Sequence, residues 1–342
     1  MSRIAKLAGI DAYAIDPLSG CVADANAIGA LLARHADKNV NFTCETIANE
    51  QVTRVGLRHA VESVFSVPNV DVALFFFAGH GARRGTEEPY EGVLQTIDGE
   101  RGDEGVTMEW VIAQANQSKA KERVIVLDCC YAGAFDQVLA SRTPIPLKEG
   151  VSILAASRAN QTSAEFNGRG VFTSLVCEAL DGGAADVRGF VTAGSIFAYA
   201  DQLLTPFKQR PVFRASVAGM RPLRHANPQV SDDMLRELGV IFASQEAIKD
   251  LNPTYEPTVQ PPHEANERTF KILQTCRDAG LVEVVDADSL YDAATRGCIS
   301  CCSNTAILTA VTVLLQGQSE RAAISTLRNA WRKVEIGMAR RE

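Results

Sequence analysis

Residues 70–81 read VDVALFFFAGHG, and this stretch decides the fold class. Residues 70–77 form an almost continuous apolar run that ends in three consecutive phenylalanines. Such a run is typical of a strand that is buried on both faces of a parallel sheet. The glycines on either side of His80 mark the end of the strand. A second buried strand is predicted at residues 123–127, and Asp128-Cys129-Cys130 follows it directly.

Strand-like and helix-like segments alternate on both sides of this stretch, through residues 1–225. The alternation predicts an α/β fold with a mostly parallel sheet and helices on both faces. Residues 82–105, which are polar and rich in glycine, are predicted to be a loop. The other predicted strands are residues 4–10, 41–47, 151–156 and 212–217, and the predicted helices are residues 23–32, 55–64, 108–117, 171–180 and 193–204.

Residues 226–342 are predicted to form a smaller, mainly helical domain. Four prolines between residues 252 and 262 exclude a helix interior there and predict a linker or an extended strap. Apolar residues recur at helical spacing around residues 270–281, and residues 289–294, 306–315 and 322–334 are predicted helices. We expect this domain to act in regulation or recruitment, through a partner protein.

The composition of the 342 residues is that of a globular protein, with 46% apolar residues and a net charge of −7. The acidic balance argues against a nucleic-acid-binding protein, which needs a basic surface. The longest apolar run, residues 305–315, is too short to cross a bilayer. Nine irregularly spaced cysteines do not form a disulfide framework, and the N-terminus does not resemble a signal peptide. We therefore expect a cytoplasmic protein with free thiols.

Two reactive side chains follow the two buried strands. His80 comes after the first strand, and Cys130 comes after the second. Open α/β sheets place their ligands and catalytic groups at the carboxyl ends of the strands. If the two strands are neighbours, the imidazole can take the proton of the thiol, and the thiolate is a nucleophile. Backbone N–H groups beside the small residues Gly81 and Gly133 could form an oxyanion hole.

These two motifs, AGHG at residues 78–81 and DCCYAG at residues 128–133, resemble those of caspase-like peptidases, and of metacaspases and their bacterial relatives in particular. In caspases the histidine lies roughly 50 residues before the cysteine. The resemblance covers residues 1–224. It implies a Cys-His dyad of Cys130 and His80, an oxyanion hole from the N–H groups of Gly81 and Cys130, and Cys129 in a variable position. Ala132 stands where the family usually has serine.

The same resemblance implies an acidic S1 pocket formed by Cys21, Asp24 and Asp128. Two carboxylates in a partly desolvated pocket favour a cation over a neutral or acidic side chain. Cleavage after Arg or Lys is therefore expected. One polar group of the family's pocket is missing, because Ala78 stands where the family has serine. Two simpler alternatives stay open: Asp24 could cap a helix, and Asp128 could be a structural turn residue.

No cofactor is implied, although some metacaspases bind calcium. Asp136 and the acidic residues of the loop are weak calcium candidates without a regular ligand spacing; those in the loop are Asp98, Glu100, Asp103 and Glu104. Cys298, Cys301 and Cys302 suggest zinc, but a usual fourth ligand is missing, and buried thiols are the better interpretation. No metal site is therefore predicted.

The predicted function is that of a cysteine endopeptidase that cleaves after basic residues, by analogy in bacterial defence or cell death. The alternatives are a non-catalytic caspase-fold interaction module and a nucleotide-binding protein. The second alternative is disfavoured because no glycine-rich phosphate motif follows the first strand. The segment 134–150 contains Arg142 and Lys148, and we expect it to be an exposed loop in which the enzyme could cleave itself.

Overall fold

The computed structural model describes residues 2–84, 91–129, 146–156, 165–166, 169–204, 210–242, 247–284, 287–295 and 300–303. The chain divides into two compact units, Met1–Asn227 and Pro228–Glu342. Within the described residues, no helix is both long and apolar enough to cross a membrane.

A six-stranded sheet forms the centre of the described part of the first unit. Its strands are β1 (Arg3–Gly9), β2 (Thr43–Ala48), β3 (Val72–Ala78), β7 (Glu122–Asp128), β8 (Val151–Ala155) and β12 (Val212–Ser216). Their order is β12-β8-β7-β3-β1-β2, and every pair is parallel except β12 with β8. The predicted α/β class with a mostly parallel sheet is thus confirmed.

Helices cover both faces of this sheet. One face packs against α2 (Arg54–Ser66) and α3 (Met108–Gln117). The other face packs against α1 (Cys21–Ala33), α4 (Val171–Glu178) and α5 (Ala193–Leu203).

The phenylalanine run explains why β3 lies between two helical layers. Phe75 and Phe77 point into the core on the α2 side, and Phe76 points into the core on the α1 side. All three side chains are fully buried. Because successive side chains of a strand alternate between faces, only a strand covered on both sides can bury such a run. Each phenylalanine contributes about 1.5–3 kcal/mol through burial.

The polar segment after His80 is not a loop, and that prediction is wrong. It forms a second, three-stranded antiparallel sheet of β4 (Gly81–Arg84), β5 (Glu91–Glu100) and β6 (Asp103–Thr107). Leu94 and Val106 are fully buried in the core on the α2 side. The apolar residues of these strands are few, but they are placed to pack on the main core.

Short elements complete the first unit. β9 (Glu165–Phe166) pairs with β10 (Arg169–Gly170), and β11 (Phe190–Val191) pairs with β13 (Arg224–His225). A π-helical turn, Ala179–Gly183, follows α4, and a 3-10 turn, Asn49–Gln51, follows β2.

The described residues of the second unit combine helices with a small sheet that the sequence did not predict. The helices are α6 (Asp232–Ile241), α7 (Glu264–Asp278) and α8 (Leu290–Thr295). The sheet is antiparallel, in the order β14 (Ile248–Asp250), β16 (Ser300–Ser303) and β15 (Val282–Val284). A 3-10 turn, Pro253–Tyr255, lies in the proline-rich segment. The helices predicted at residues 306–315 and 322–334 lie outside the described residues.

Candidate active site

The two strands that carry the predicted dyad are parallel neighbours. Ala78 of β3 is the register partner of Asp128 of β7. In addition, the Gly79 N–H donates to the Asp128 carbonyl at 3.2 Å, so the pairing continues to the strand ends. His80 and Cys130 each follow these register partners by two residues along the chain. Cys130 itself lies outside the described residues, as do Arg142 and Asp136.

The His80 ring is held by a backbone carbonyl. Its Nε2 lies 2.6 Å from the carbonyl oxygen of Asp16, and its side chain is 18% exposed. Because a carbonyl oxygen can only accept a hydrogen bond, Nε2 must carry a proton. In the neutral ring Nδ1 is then the unprotonated nitrogen, which is the form that a general base requires.

Tyr13 contacts both the backbone and the ring of His80, and no sequence pattern predicted this contact. The Tyr13 hydroxyl accepts from the His80 N–H at 3.0 Å and donates to the Gln95 carbonyl at 3.0 Å. The two ring centroids are 4.6 Å apart. Burial raises the pKa of Tyr13 far above its usual value, so the hydroxyl stays protonated and can donate.

The same hydroxyl explains why residue 79 is a glycine. A Cβ at Gly79 would lie only 2.6 Å from the Tyr13 hydroxyl oxygen. A side chain there would displace Tyr13 from the main chain of His80.

Gly81 begins β4 at the edge of the second sheet. The Gln95 N–H donates to the His80 carbonyl at 3.0 Å, and Gly81 is the register partner of Leu94. This pattern makes Gly81 and Leu94 a non-hydrogen-bonded pair, so the Gly81 N–H points away from β5. It is therefore directed in a way that is compatible with the predicted oxyanion hole.

The predicted pocket carboxylates converge on the start of α4. The Asp24 side chain is buried in α1, and its Oδ2 accepts from the Gly170 N–H at 2.8 Å. Asp128 Oδ2 accepts from the N–H of Thr173 at 3.1 Å and from its hydroxyl at 2.6 Å. N–H groups at the start of a helix have no partner within the helix and favour negative charge, so both carboxylates stabilise α4.

Gly170 separates the two carboxylates and has no room for a side chain. A Cβ there would overlap Asp128 Oδ2 and would lie 3.0 Å from Asp24 Oδ2. The carboxylates of Asp24 and Asp128 are thus brought together, although they belong to residues far apart in the sequence.

Asp24 also has a cationic partner that sequence analysis missed. Arg169 Nε donates to Asp24 Oδ1 at 2.9 Å, and Arg169 Nη2 lies 3.8 Å from Cys177 Sγ. Burial raises the pKa of Asp24, and the Gly170 N–H and the Arg169 guanidinium oppose that shift. The hydrogen bond to Asp24 raises the pKa of Arg169 in turn.

The helix cap of α1 is not Asp24. Asp11 takes that role, with Oδ1 accepting from the Cys21 N–H at 2.7 Å and Oδ2 accepting from the Val22 N–H at 3.3 Å. Asp24 instead accepts from the Gly170 N–H at the start of α4, which agrees with the alternative that Asp24 caps a helix. Cys21, the third predicted pocket residue, is buried at the start of α1.

Cys129 is a core residue. It is 1% exposed and packs in the core on the α2 side, together with Ile125 and Leu127.

The acidic residues of the second sheet are paired with arginines. Asp103 forms ion pairs with Arg54 and with Arg84, and Glu104 lies 3.8 Å from Arg84. Asp98 accepts from the Arg54 N–H. In the part of the chain that the structure describes, no group of three or more His, Cys, Asp or Glu side chains could hold a metal ion.

Lys148 is exposed, but its backbone is anchored. Its N–H donates to Asn116 Oδ1 at 2.9 Å, and its carbonyl accepts from the Val151 N–H at 3.1 Å. The carbonyl of Glu149 accepts from Arg123. Cleavage after Lys148 requires these bonds to break.

The fold, with His80 and the two carboxylates near the carboxyl ends of β3 and β7, is that of an α/β protein of the caspase type. A model of the caspase domain matches residues 2–220, and no curated protein matches the chain. Among solved structures, the chain is similar to protein GSU0716 from Geobacter sulfurreducens, with 17% identity and a TM-score of 0.52; the match covers 66% of this chain and 100% of that one. The chain belongs to the caspase domain family, whose members are typically cysteine peptidases.

Proposed function

We propose that this protein is a cysteine endopeptidase that cleaves its protein substrates after Arg or Lys. The observation that carries the proposal is the convergence of two buried carboxylates, Asp24 and Asp128, on one helix start beside β7. Asp24 already pairs with Arg169, and a substrate side chain with a positive head group brings the same kind of charge to the two carboxylates. An acidic side chain is repelled.

The family and the tautomer of His80 support the proposed dyad of His80 and Cys130. Nδ1 of His80 takes the proton of the Cys130 thiol, and the thiolate sulfur attacks the scissile carbonyl carbon. The N–H groups of Gly81 and Cys130 stabilise the oxyanion. His80 then returns the proton to the leaving amine. Water hydrolyses the resulting thioester and regenerates the thiol.

Self-cleavage after Arg142 or Lys148 is part of this proposal. The anchored backbone makes Lys148 the less favourable of the two sites. Mass spectrometry of wild type and Cys130→Ala, purified side by side, tests it. An intact and fully active wild-type chain would exclude processing as the activation step.

The setting of the reaction is also part of the proposal. A reducing cytoplasm agrees with the free thiols of Cys44, Cys177 and Cys276. Residues 226–342 are the proposed site for a regulatory protein, and bacterial defence or cell death is the proposed pathway. Proteins that are cleaved in cells only when Cys130 is intact would identify the pathway.

Fluorogenic peptides that differ only at P1 test the main proposal. Wild type is expected to cleave the Arg and Lys peptides and to leave the Asp peptide intact, and Cys130→Ala is expected to be inactive. Equal cleavage of the Arg and Asp peptides would contradict the proposed pocket. Complete inactivity of folded wild type on all peptides would favour a non-catalytic interaction module.

A further inference from the structure

Arg169 places a guanidinium on the carboxylate that is proposed to recognise substrate. Asp24 is almost inaccessible to solvent, with a side chain that is 2% exposed, whereas the Arg169 side chain is 39% exposed. The cation therefore reaches the buried carboxylate from a position that solvent also reaches. The bond runs from Nε to Oδ1 alone, so it is not the two-point pairing that arginine and carboxylate form at their strongest.

The second carboxylate lies beside the first at the start of α4. Asp128 Oδ2 accepts from the N–H and the hydroxyl of Thr173. Arg169, which binds Asp24, directly precedes Gly170, and a Cβ on Gly170 would lie within 3.0 Å of an oxygen of each carboxylate. A substrate arginine would bring the same chemical group to the same charges.

We propose that Arg169 is an internal competitor of the substrate P1 side chain for Asp24. The Arg169 guanidinium leaves Asp24 when a basic P1 residue enters and returns when the product leaves. This inference rests on the proposed function, and it adds that recognition of arginine is an exchange of one guanidinium for another. The total charge of the pocket then stays the same in the free and the bound enzyme.

The competition lowers apparent affinity without affecting the chemical step. The substrate binds only the form of the enzyme in which Arg169 has left Asp24. The apparent dissociation constant is therefore the intrinsic constant divided by the fraction of molecules in that form. A partly exposed ion pair is worth little, so its removal is expected to lower the KM for an arginine substrate by about two- to fivefold. The value of kcat is expected to be unchanged, because Arg169 is not a partner of His80.

A purely structural role for Arg169 makes the opposite prediction. If the guanidinium only neutralises Asp24 and supports α4, its removal leaves a buried charge without compensation. The pocket would then bind arginine no better, and KM would stay the same or rise.

Arg169→Met and Arg169→Lys are the test variants, and Arg58→Met is the matched control. Methionine keeps an unbranched stem and removes the charge, whereas lysine keeps the charge but has no Nε–H. Arg58 lies on α2, against the other face of the sheet, where its guanidinium stacks on Trp110. The assay compares peptides with P1 arginine and with P1 citrulline, its neutral isostere.

For the arginine peptide, KM is expected to fall in Arg169→Met, to fall less in Arg169→Lys and to be unchanged in Arg58→Met. For the citrulline peptide, KM is not expected to fall in any of these variants. An unchanged or higher KM for the arginine peptide in folded Arg169→Met would overturn the inference. If Arg169→Met does not fold, Arg169→Lys decides in the same way.

Benzamidine, an amidinium cation, separates failure of this inference from failure of the proposed reaction. Its binding is measured by calorimetry in the Cys130→Ala background, with and without Arg169→Met, where no catalysis is needed. Binding that is tighter without Arg169 supports the competition even if no peptide is ever cleaved. Equal binding overturns it, even if the enzyme is active on arginine peptides.

Discussion

Two groups of polar residues lie near the same edge of the main sheet, and they are held in different ways. His80 is held at its ring by the backbone carbonyl of Asp16, whose carboxylate lies 3.9 Å from Nε2, and by contact with Tyr13; its side chain is 18% exposed. Asp24 and Asp128 are 1% and 6% exposed, and both accept hydrogen bonds from backbone N–H groups.

The difference separates proton transfer from recognition. The backbone carbonyl of Asp16 accepts from Nε2 and orients the imidazole, so Nδ1 is the nitrogen without a proton in the neutral ring. The N–H donors fix the two carboxylates at the start of α4. The imidazole is therefore oriented for proton transfer, and the carboxylates are positioned for recognition.

The largest effect is expected for His80→Ala, which removes the proposed general base and leaves the recognition site intact. We expect kcat/KM for an arginine peptide to fall by about 10³-fold. Benzamidine binding is expected to be unchanged. Loss of benzamidine binding along with activity would show that the two groups are not separate.

Gly170→Ala tests the two carboxylates that are proposed to bind the substrate side chain. The new Cβ overlaps an oxygen of Asp128, so the carboxylates must move apart. We expect KM for the arginine peptide to rise about tenfold and the protein to lose about 1–3 kcal/mol of stability. Gly29→Ala is the control, since its Cβ would meet nothing closer than 3.6 Å. Unchanged KM in Gly170→Ala would exclude these carboxylates from substrate binding.

Tyr13→Phe tests how the imidazole is positioned. It keeps the ring and removes the hydroxyl that bonds to the His80 N–H and the Gln95 carbonyl. We expect kcat to fall about five- to tenfold with little change in KM, because a buried N–H loses its partner. Tyr199→Phe, which removes an exposed hydroxyl bonded to Glu178, serves as the control. An unchanged kcat would mean that the Asp16 carbonyl alone is enough to position the imidazole of His80.

Acidification is expected to weaken arginine recognition. The loss should begin at a higher pH than it would for an aspartate with an ordinary pKa. Burial raises the pKa of Asp24, so protonation, which removes the negative charge, begins above the usual value of about 4. Below that pH, KM for the arginine peptide should rise several-fold, and Asp24→Asn should abolish this dependence. In the same pH range the folded state binds a proton that the unfolded chain has lost, so this group's contribution to stability falls as the pH rises.

The smallest effect is expected for Cys129→Ala. Cys129 packs in the core and occupies the variable position of the motif, so activity should stay within about twofold of wild type. Stability should fall by about 1 kcal/mol, because a buried sulfur is lost. A dead Cys129→Ala with an active Cys130→Ala would shift the assignment of the nucleophile by one residue.

The main sheet could be predicted from the sequence because its strands are locally unambiguous. Residues 70–77 and 123–127 are almost entirely apolar, and the observed strands Val72–Ala78 and Glu122–Asp128 differ from them by one or two residues. The position of His80, after the carboxyl end of β3, was predicted from the same apolar pattern.

The second sheet could not be predicted in the same way. The strand Glu91–Glu100 buries Leu94 but also carries glycine and acidic residues, and its register with Asp103–Thr107 shifts between Gln95 and Glu100. An irregular strand that is exposed along much of its length shows no clear alternation of polar and apolar residues.

The partners in the candidate site were missed for a different reason. Arg169 and Asp24 are 145 positions apart, and Tyr13 and His80 are 67 positions apart. Such contacts depend on how α1, β3 and β10 are brought together, and no local pattern reports them. The sequence contained one signal for Arg169: it is a cation directly before Gly170, within the residues 1–224 that resemble the family.

The order of the strands in the main sheet determines what a cut in the chain would do. Residues 142 and 148 both lie between β7 and β8, and these strands are hydrogen-bonded neighbours. A single cut there would leave β1, β2, β3 and β7 on one fragment and β8 and β12 on the other, joined within one continuous sheet. The two fragments would co-elute as a non-covalent pair in native chromatography, and only denaturant would separate them. A size-exclusion profile alone would therefore not distinguish the cleaved protein from the intact one.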